Sequence, residues 1–147
     1  MTSPLVLFRH GAEGIEATPI DFDTFTLPSS PNTCLAAPHG HPLPSHLRIP
    51  PAPMGMDAAW AALNRVADGR PRCFPLYVWP ERRQAQWVER SATLNFPDII
   101  VAQLIPGEGS TGLILYSRSL FGYSDFGANR RCVTEWLAVL DAQPPSP

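Results

Sequence analysis

Between residues 73 and 117 the chain carries four strand-like runs, Cys73 to Trp79, Gln84 to Leu94, Ile99 to Ile105 and Leu113 to Ser117. Parallel neighbours need a crossover of about a dozen residues, whereas antiparallel neighbours are joined by short turns. The links here are Pro80 to Arg83, Phe96 to Asp98 and Pro106 to Thr111, long enough only for turns. The expected frame is therefore an antiparallel meander of four to five strands.

Two helical patterns flank that frame. Ala58 to Ala67 follows Asp57, a good N-cap residue; it puts Trp60, Leu63 and Ala67 on one face and meets Gly69 as a stop. Ala128 to Leu140 spaces Val133, Trp136, Leu137 and Leu140 into one apolar stripe. Helix, strands and helix in that order imply an α+β layer structure with both helices packed on one face of the sheet. Trp60, Trp79, Trp87 and Trp136 fall at helix and strand positions, where packing is their ordinary role; Trp79 or Trp87 is expected on the face away from the helices.

Ten of the 18 prolines lie in the first 53 residues, which makes that third of the chain an extended, turn-rich arm. Leu5 to Phe8 and Leu47 to Ile49 are candidates for short added strands. The expected organisation is an arm over residues 1–24, one domain over 25–143 and a frayed tail over 144–147.

Composition removes several functions. All 11 basic residues are Arg, so lysine nucleophiles and Schiff bases are excluded. A formal charge of −2 with no basic stripe argues against nucleic acid as a partner. The cysteines, Cys34, Cys73 and Cys132, are odd in number and form no CxxC pair, which points away from a disulfide framework or cysteine-rich zinc site and toward the cytoplasm. Pro4 to Phe8 is too short an apolar run for a secretion signal or a membrane span, so no transmembrane segment is expected.

Leu5 to Gly11 reads LVLFRHG, and histidine phosphatases and phosphoglycerate mutases open with a strand ending in Arg-His-Gly. Their chemistry needs a second histidine far downstream. Here His39, His41 and His46 all sit in the proline-rich third, and the pattern lacks alternating strands and helices, so the match is read as a coincidence. Cys34 with those histidines matches no usual zinc spacing, and they are read as loop residues; no metal and no cofactor is expected.

The densest polar chemistry lies at the corner between Ser117 and the last helix, where Arg118, Ser124, Asp125, Asn129, Arg130 and Arg131 cluster around Gly122 and Gly127. Cations are disfavoured at a helix N-terminus, so Arg130 and Arg131 ask for a negative partner. Asp125 supplies one if the corner is structural; a bound carboxylate or phosphate supplies it if the corner is a ligand site.

Two segments then resemble the family called domain of unknown function DUF1499. They are PSSPNTC, Pro28 to Cys34, and FPDIIVAQLIP, Phe96 to Pro106, running on to YSRSLFGYSDFGANRR, Tyr116 to Arg131. The likeness covers about Phe25 to Leu140. It implies no reaction, ligand or catalytic residue; it implies that the Asn32 and Cys34 segment and the Arg corner belong to one domain, which makes Asn32 and Cys34 a second candidate segment. The functional expectation is a non-catalytic binding or accessory domain that presents the Arg corner to a protein partner or a small anionic ligand. The alternative is a hydrolase-like enzyme with a pocket between the Cys34 segment and the Asp125 corner.

Overall fold

The computed structural model of the chain describes residues 4–121 and 126–142. Strands run over Thr33–Pro38 (β1), Leu47–Ile49 (β2), Cys73–Trp79 (β3), Gln84–Arg90 (β4), Pro97–Pro106 (β5) and Thr111–Ser119 (β6); helices run over Met56–Gly69 (α1) and Ala128–Ala142 (α2). They form an α+β structure around one six-stranded sheet of order β2-β1-β6-β5-β4-β3.

The sheet is mixed, which corrects the expectation of a purely antiparallel meander of four to five strands. Pairs from β3 to β6 are antiparallel, as are β1 and β6, but β1 and β2 run parallel. Residues 39–46 make that parallel return with fewer residues than a helical crossover needs. Arg48 compensates: its guanidinium donates to the carbonyls of Pro38 (3.1 Å), His41 (2.8 Å) and Leu43 (2.7 Å), holding the return against the strand it leaves.

Successive strand residues point to opposite faces, and the two faces bury different partners. On one face Cys34, Ala36, Trp87, Ile100, Leu113 and Leu115 pack against Leu63 and Val66 of α1 and Val133 and Trp136 of α2. Both helices therefore cover the same side. On the other face Leu35, Val88, Val101, Ile114 and Tyr116 pack against Phe22 and Leu43. Burial of a side chain as large as Phe22 contributes about 1.5–3 kcal/mol.

Residues 11–32 carry no helix or strand, so polar side chains of the sheet take over the pairing. Gln84, fully buried, accepts from the Ile20 N–H (3.0 Å) and donates to the Ile20 carbonyl (2.8 Å), imitating a strand neighbour. Gln86 donates to the Thr18 carbonyl (2.9 Å), and Arg90 Nε donates to the Gly11 carbonyl (2.7 Å).

Local boundaries differ from expectation for identifiable reasons. Leu5 to Phe8 is not a strand but part of a 3-10 turn, Pro4–Phe8, and Asn95 Nδ2 donates to the carbonyls of Leu7 and Arg9. The helix expected from Ala58 begins at Met56 with Gly55 as N-cap, so Asp57 lies within the first turn, where its charge still faces the positive dipole end. β4 ends at Arg90 rather than Leu94, because Ser91 and Phe96 close a turn by two hydrogen bonds, Ser91 N–H to the Phe96 carbonyl and Phe96 N–H to Ser91 Oγ. Of the two tryptophans, Trp79 pairs with Gln84 and lies on the face away from the helices, packed on Tyr77, whereas Trp87 lies under α2 against Trp136, ring centroids 5.2 Å apart.

Candidate functional site

Alternation along β6 divides the predicted corner. Ser117 points to the helix face and Arg118 to the opposite one, so the sheet itself stands between Arg118 and Asn129. These two candidates do not converge on one ligand.

On the helix side, the chain enters α2 through Phe126 and Gly127, both with positive φ (52° and 84°), and the Arg131 N–H then donates to the Gly127 carbonyl. That entry drives Asn129 into the interior, where it is completely buried. Its Nδ2 donates to the Asn32 carbonyl (2.9 Å) and to Ser119 Oγ (2.7 Å), while its Oδ1 accepts from Ser117 Oγ. The Asn129 amide is thus engaged by the fold and joins α2, β6 and the segment before β1. Arg130 and Arg131 are exposed on the outside of the same turn, and Ser124 and Asp125 lie outside the described residues.

On the far side, Arg118 is half-buried and lines a cavity of about 320 Å³ with Tyr116, Gln86, Ile99, Phe25, Glu16 and residues 18–20. Its guanidinium makes no hydrogen bond or ion pair with another described residue. Burial pushes the Tyr116 phenol up to about 12, and Arg118 opposes that shift by favouring the phenolate. Phe22 and Phe25 meet the Tyr116 ring edge-on, so the tyrosine is fixed. Exposed Glu16 lines the same cavity.

A third constellation centres on Glu89 of β4, which points to the helix face at the same end of the sheet as Asn129. Arg70, just beyond α1, grips both carboxylate oxygens (2.5 and 3.1 Å) and also reaches Glu135 (3.0 Å). The Cys132 thiol donates to Glu89 Oε2 (3.1 Å), and the Trp136 indole approaches Oε1 (3.4 Å). The hydrogen bond to Glu89 holds Arg70 firmly protonated against the cost of burial. Burial first, then the Glu89 charge, pushes up the thiols of Cys73, to about 12, and of Cys132. Such thiols are protonated at neutral pH and do not act as nucleophiles.

A family model described as a protein of unknown function, DUF1499, matches residues 23–140. The chain belongs to the DUF1499 family. No curated protein matches it. The two segments behind the resemblance meet in this DUF1499 domain, since Asn129 from the second binds the Asn32 carbonyl in the first. Cys34 does not open onto a pocket: it is 1% exposed and its side chain belongs to the core beneath the helices. The histidines of the proline-rich third also have local work. His46 Nδ1 accepts from the Leu35 N–H (2.9 Å) and His41 Nδ1 from the Leu43 N–H (3.1 Å), while His10 rests edge-on against Phe74. Among the described residues of this DUF1499 chain no cluster of three or more His, Cys, Asp or Glu side chains is placed to hold a metal ion, and no helix is long and apolar enough to cross a membrane.

The Glu89 network escaped the sequence reading. Its signal was the alternation Ala85, Trp87, Glu89, which assigns the carboxylate to the same face as two buried apolar residues.

Proposed function

We propose that this DUF1499 chain is a non-catalytic binding domain whose ligand is a small carboxylate or phosphate seated between residues 16–28 and the sheet. One observation carries the reading: the half-buried Arg118 lines a cavity and forms no salt bridge with a carboxylate among the described residues. A planar guanidinium in partly desolvated surroundings favours a two-oxygen anion. Tyr116 and Gln86 add polar groups to the walls, and Phe25, Ile20 and Ile99 give the apolar remainder. Glu16 in the same lining limits the ligand to one of low negative charge. Among the corner residues the ligand role thus falls to Arg118, while Asn129 serves the fold and Arg130 and Arg131 are exposed on the other side of the sheet.

The test is a thermal-shift and calorimetric series with phosphate, acetate and succinate on the parent, Arg118→Gln, Arg130→Ala and Arg131→Ala. A native-state ligand at ten times its Kd stabilises by about 1.4 kcal/mol. That gain is expected in the parent and in both helix variants and is lost in Arg118→Gln. No anion-dependent gain in the parent, or an equal gain in Arg118→Gln, refutes the proposal.

A protein partner is the second reading. Tyr77, 56% exposed, and Val78, 45% exposed, lie on β3, the outermost strand of the sheet, where a partner strand has access to unpaired backbone groups. Native mass spectrometry of the protein purified from its own host separates the two, since a retained chain and a retained small molecule differ in mass.

A further inference from the structure

At the end of the sheet opposite Asn129, the helices leave a second opening that owes nothing to Arg118. It is a cavity of about 500 Å³ beneath α1 and the C-terminal half of α2. Interiors pack to crystalline density with few voids larger than a water molecule, so a space of this size is a feature of the fold. Ala59 and Ala62 form its α1 wall, where larger side chains would fill it. Leu104 and Leu113 form the floor, and Leu137 and Leu140 the α2 wall.

The outer wall is a rigid strap. Residues 50–53 contain three prolines, and Ala52 exchanges two backbone hydrogen bonds with Thr111 (2.8 and 2.9 Å). Thr111 Oγ1 donates to the Met54 carbonyl (2.8 Å), so the one hydroxyl of the lining is already engaged. The cavity therefore exists before any ligand arrives, which removes the cost of ordering it.

Its chemistry limits the occupant. Among the described residues the lining is otherwise apolar, and its one ionisable residue is Asp141, exposed near the end of α2. A carboxylate attracts a cationic head and repels an anionic one, and among the described residues no cation lines the cavity to receive a fatty acid. We infer that this cavity binds an unbranched aliphatic amine, with the hydrocarbon chain between the helices and the sheet and the ammonium group at Asp141. Burial of the chain supplies the affinity, and the solvent-exposed carboxylate supplies a modest preference among head groups.

The experiment compares decylamine, decanol and decanoate below their micellar concentrations by isothermal titration and thermal shift. The parent is expected to bind one decylamine per chain, decanol several-fold more weakly and decanoate weakest. Asp141→Asn is expected to equalise the amine and the alcohol while leaving decanol affinity unchanged. Ala62→Leu fills the α1 side and Leu140→Trp the α2 side; either, shown folded by circular dichroism, should weaken all three ligands at least tenfold. Absence of saturable one-to-one binding in the parent overturns the assignment, as does undiminished binding in the folded filled variants. Decanoate binding more tightly than decylamine overturns the choice of head group. None of these outcomes depends on anion binding at Arg118.

Discussion

Asn129→Ala isolates what the start of α2 contributes to the fold. The substitution removes the hydrogen bonds to the Asn32 carbonyl and to Ser119 Oγ and the one received from Ser117 Oγ. At about 1 kcal/mol net per hydrogen bond the loss is about 3 kcal/mol. Ser117 is completely buried, so its stranded hydroxyl adds about 1–3 kcal/mol, less whatever an entering water recovers. The expected loss is about 4 kcal/mol. At about 3 °C per kcal/mol for a domain of this length, that lowers Tm by about 12 °C. Urea unfolding followed by circular dichroism at 25 °C measures the free energy, and calorimetry measures the shift. A second arm uses Ser117→Ala: because the two side chains share a bond, the double variant should lose less than the sum of the singles, by about 1 kcal/mol. Arg130→Ala, one residue away and exposed, should stay within about 0.5 kcal/mol of the parent. An Asn129→Ala loss below about 1 kcal/mol, or strict additivity with Ser117→Ala, refutes the clamp.

Glu89→Gln keeps the shape of the side chain but leaves Arg70 without its main counter-charge; with the two side chains 15% and 18% exposed, a loss of about 3 kcal/mol is expected in urea unfolding, and a loss below about 1 kcal/mol contradicts the buried pair. The alkaline limb of stability follows from the thiols: Cys73 rises from 9.0 to about 12 and Cys132 also rises, so the unfolded chain releases protons that the folded one keeps. The thiols' contribution to stability should be constant below about pH 8.5 and then fall by up to about 1.4 kcal/mol per pH unit for each thiol. Cys73→Ala should make that fall shallower between about pH 9 and 11, and an unchanged slope there counts against the assignment.

How much of this was legible depended on whether a residue's face could be read from its neighbours. β5 and β6 are bounded by turn residues, and their place in the sheet follows from short links. β1 was hidden because Cys34, Leu35, Ala36 and Ala37 are all buried, so the strand shows no alternation, and Pro31 and Pro38 bracket it like a loop. With β1 missing, the parallel pair with β2 could not be anticipated. At the corner, nearness in sequence stood in for nearness in space. Ser117 and Arg118 are adjacent, yet one serves the helix side and the other the cavity behind the sheet. Glu89 resembled a solvated strand residue because its partner Arg70 lies beyond a turn and a strand, and no local spacing links them.

The position of β1 between β2 and β6 sets the order in which the molecule can be made. As the chain leaves the ribosome, β1 emerges early and finds only β2, three residues long and too short to hold it. Its other partner, β6, follows only after β3, β4 and β5 have been made, and Asn129, which ties the segment before β1 to β6, arrives later still. Until then Leu35 and the backbone edge of β1 are open to other chains. Pairings between distant parts of a chain also form slowly. A nascent or truncated chain that ends before residue 119 is therefore the aggregation-prone form of this protein, and its yield in a cell depends on how quickly the last strand is delivered.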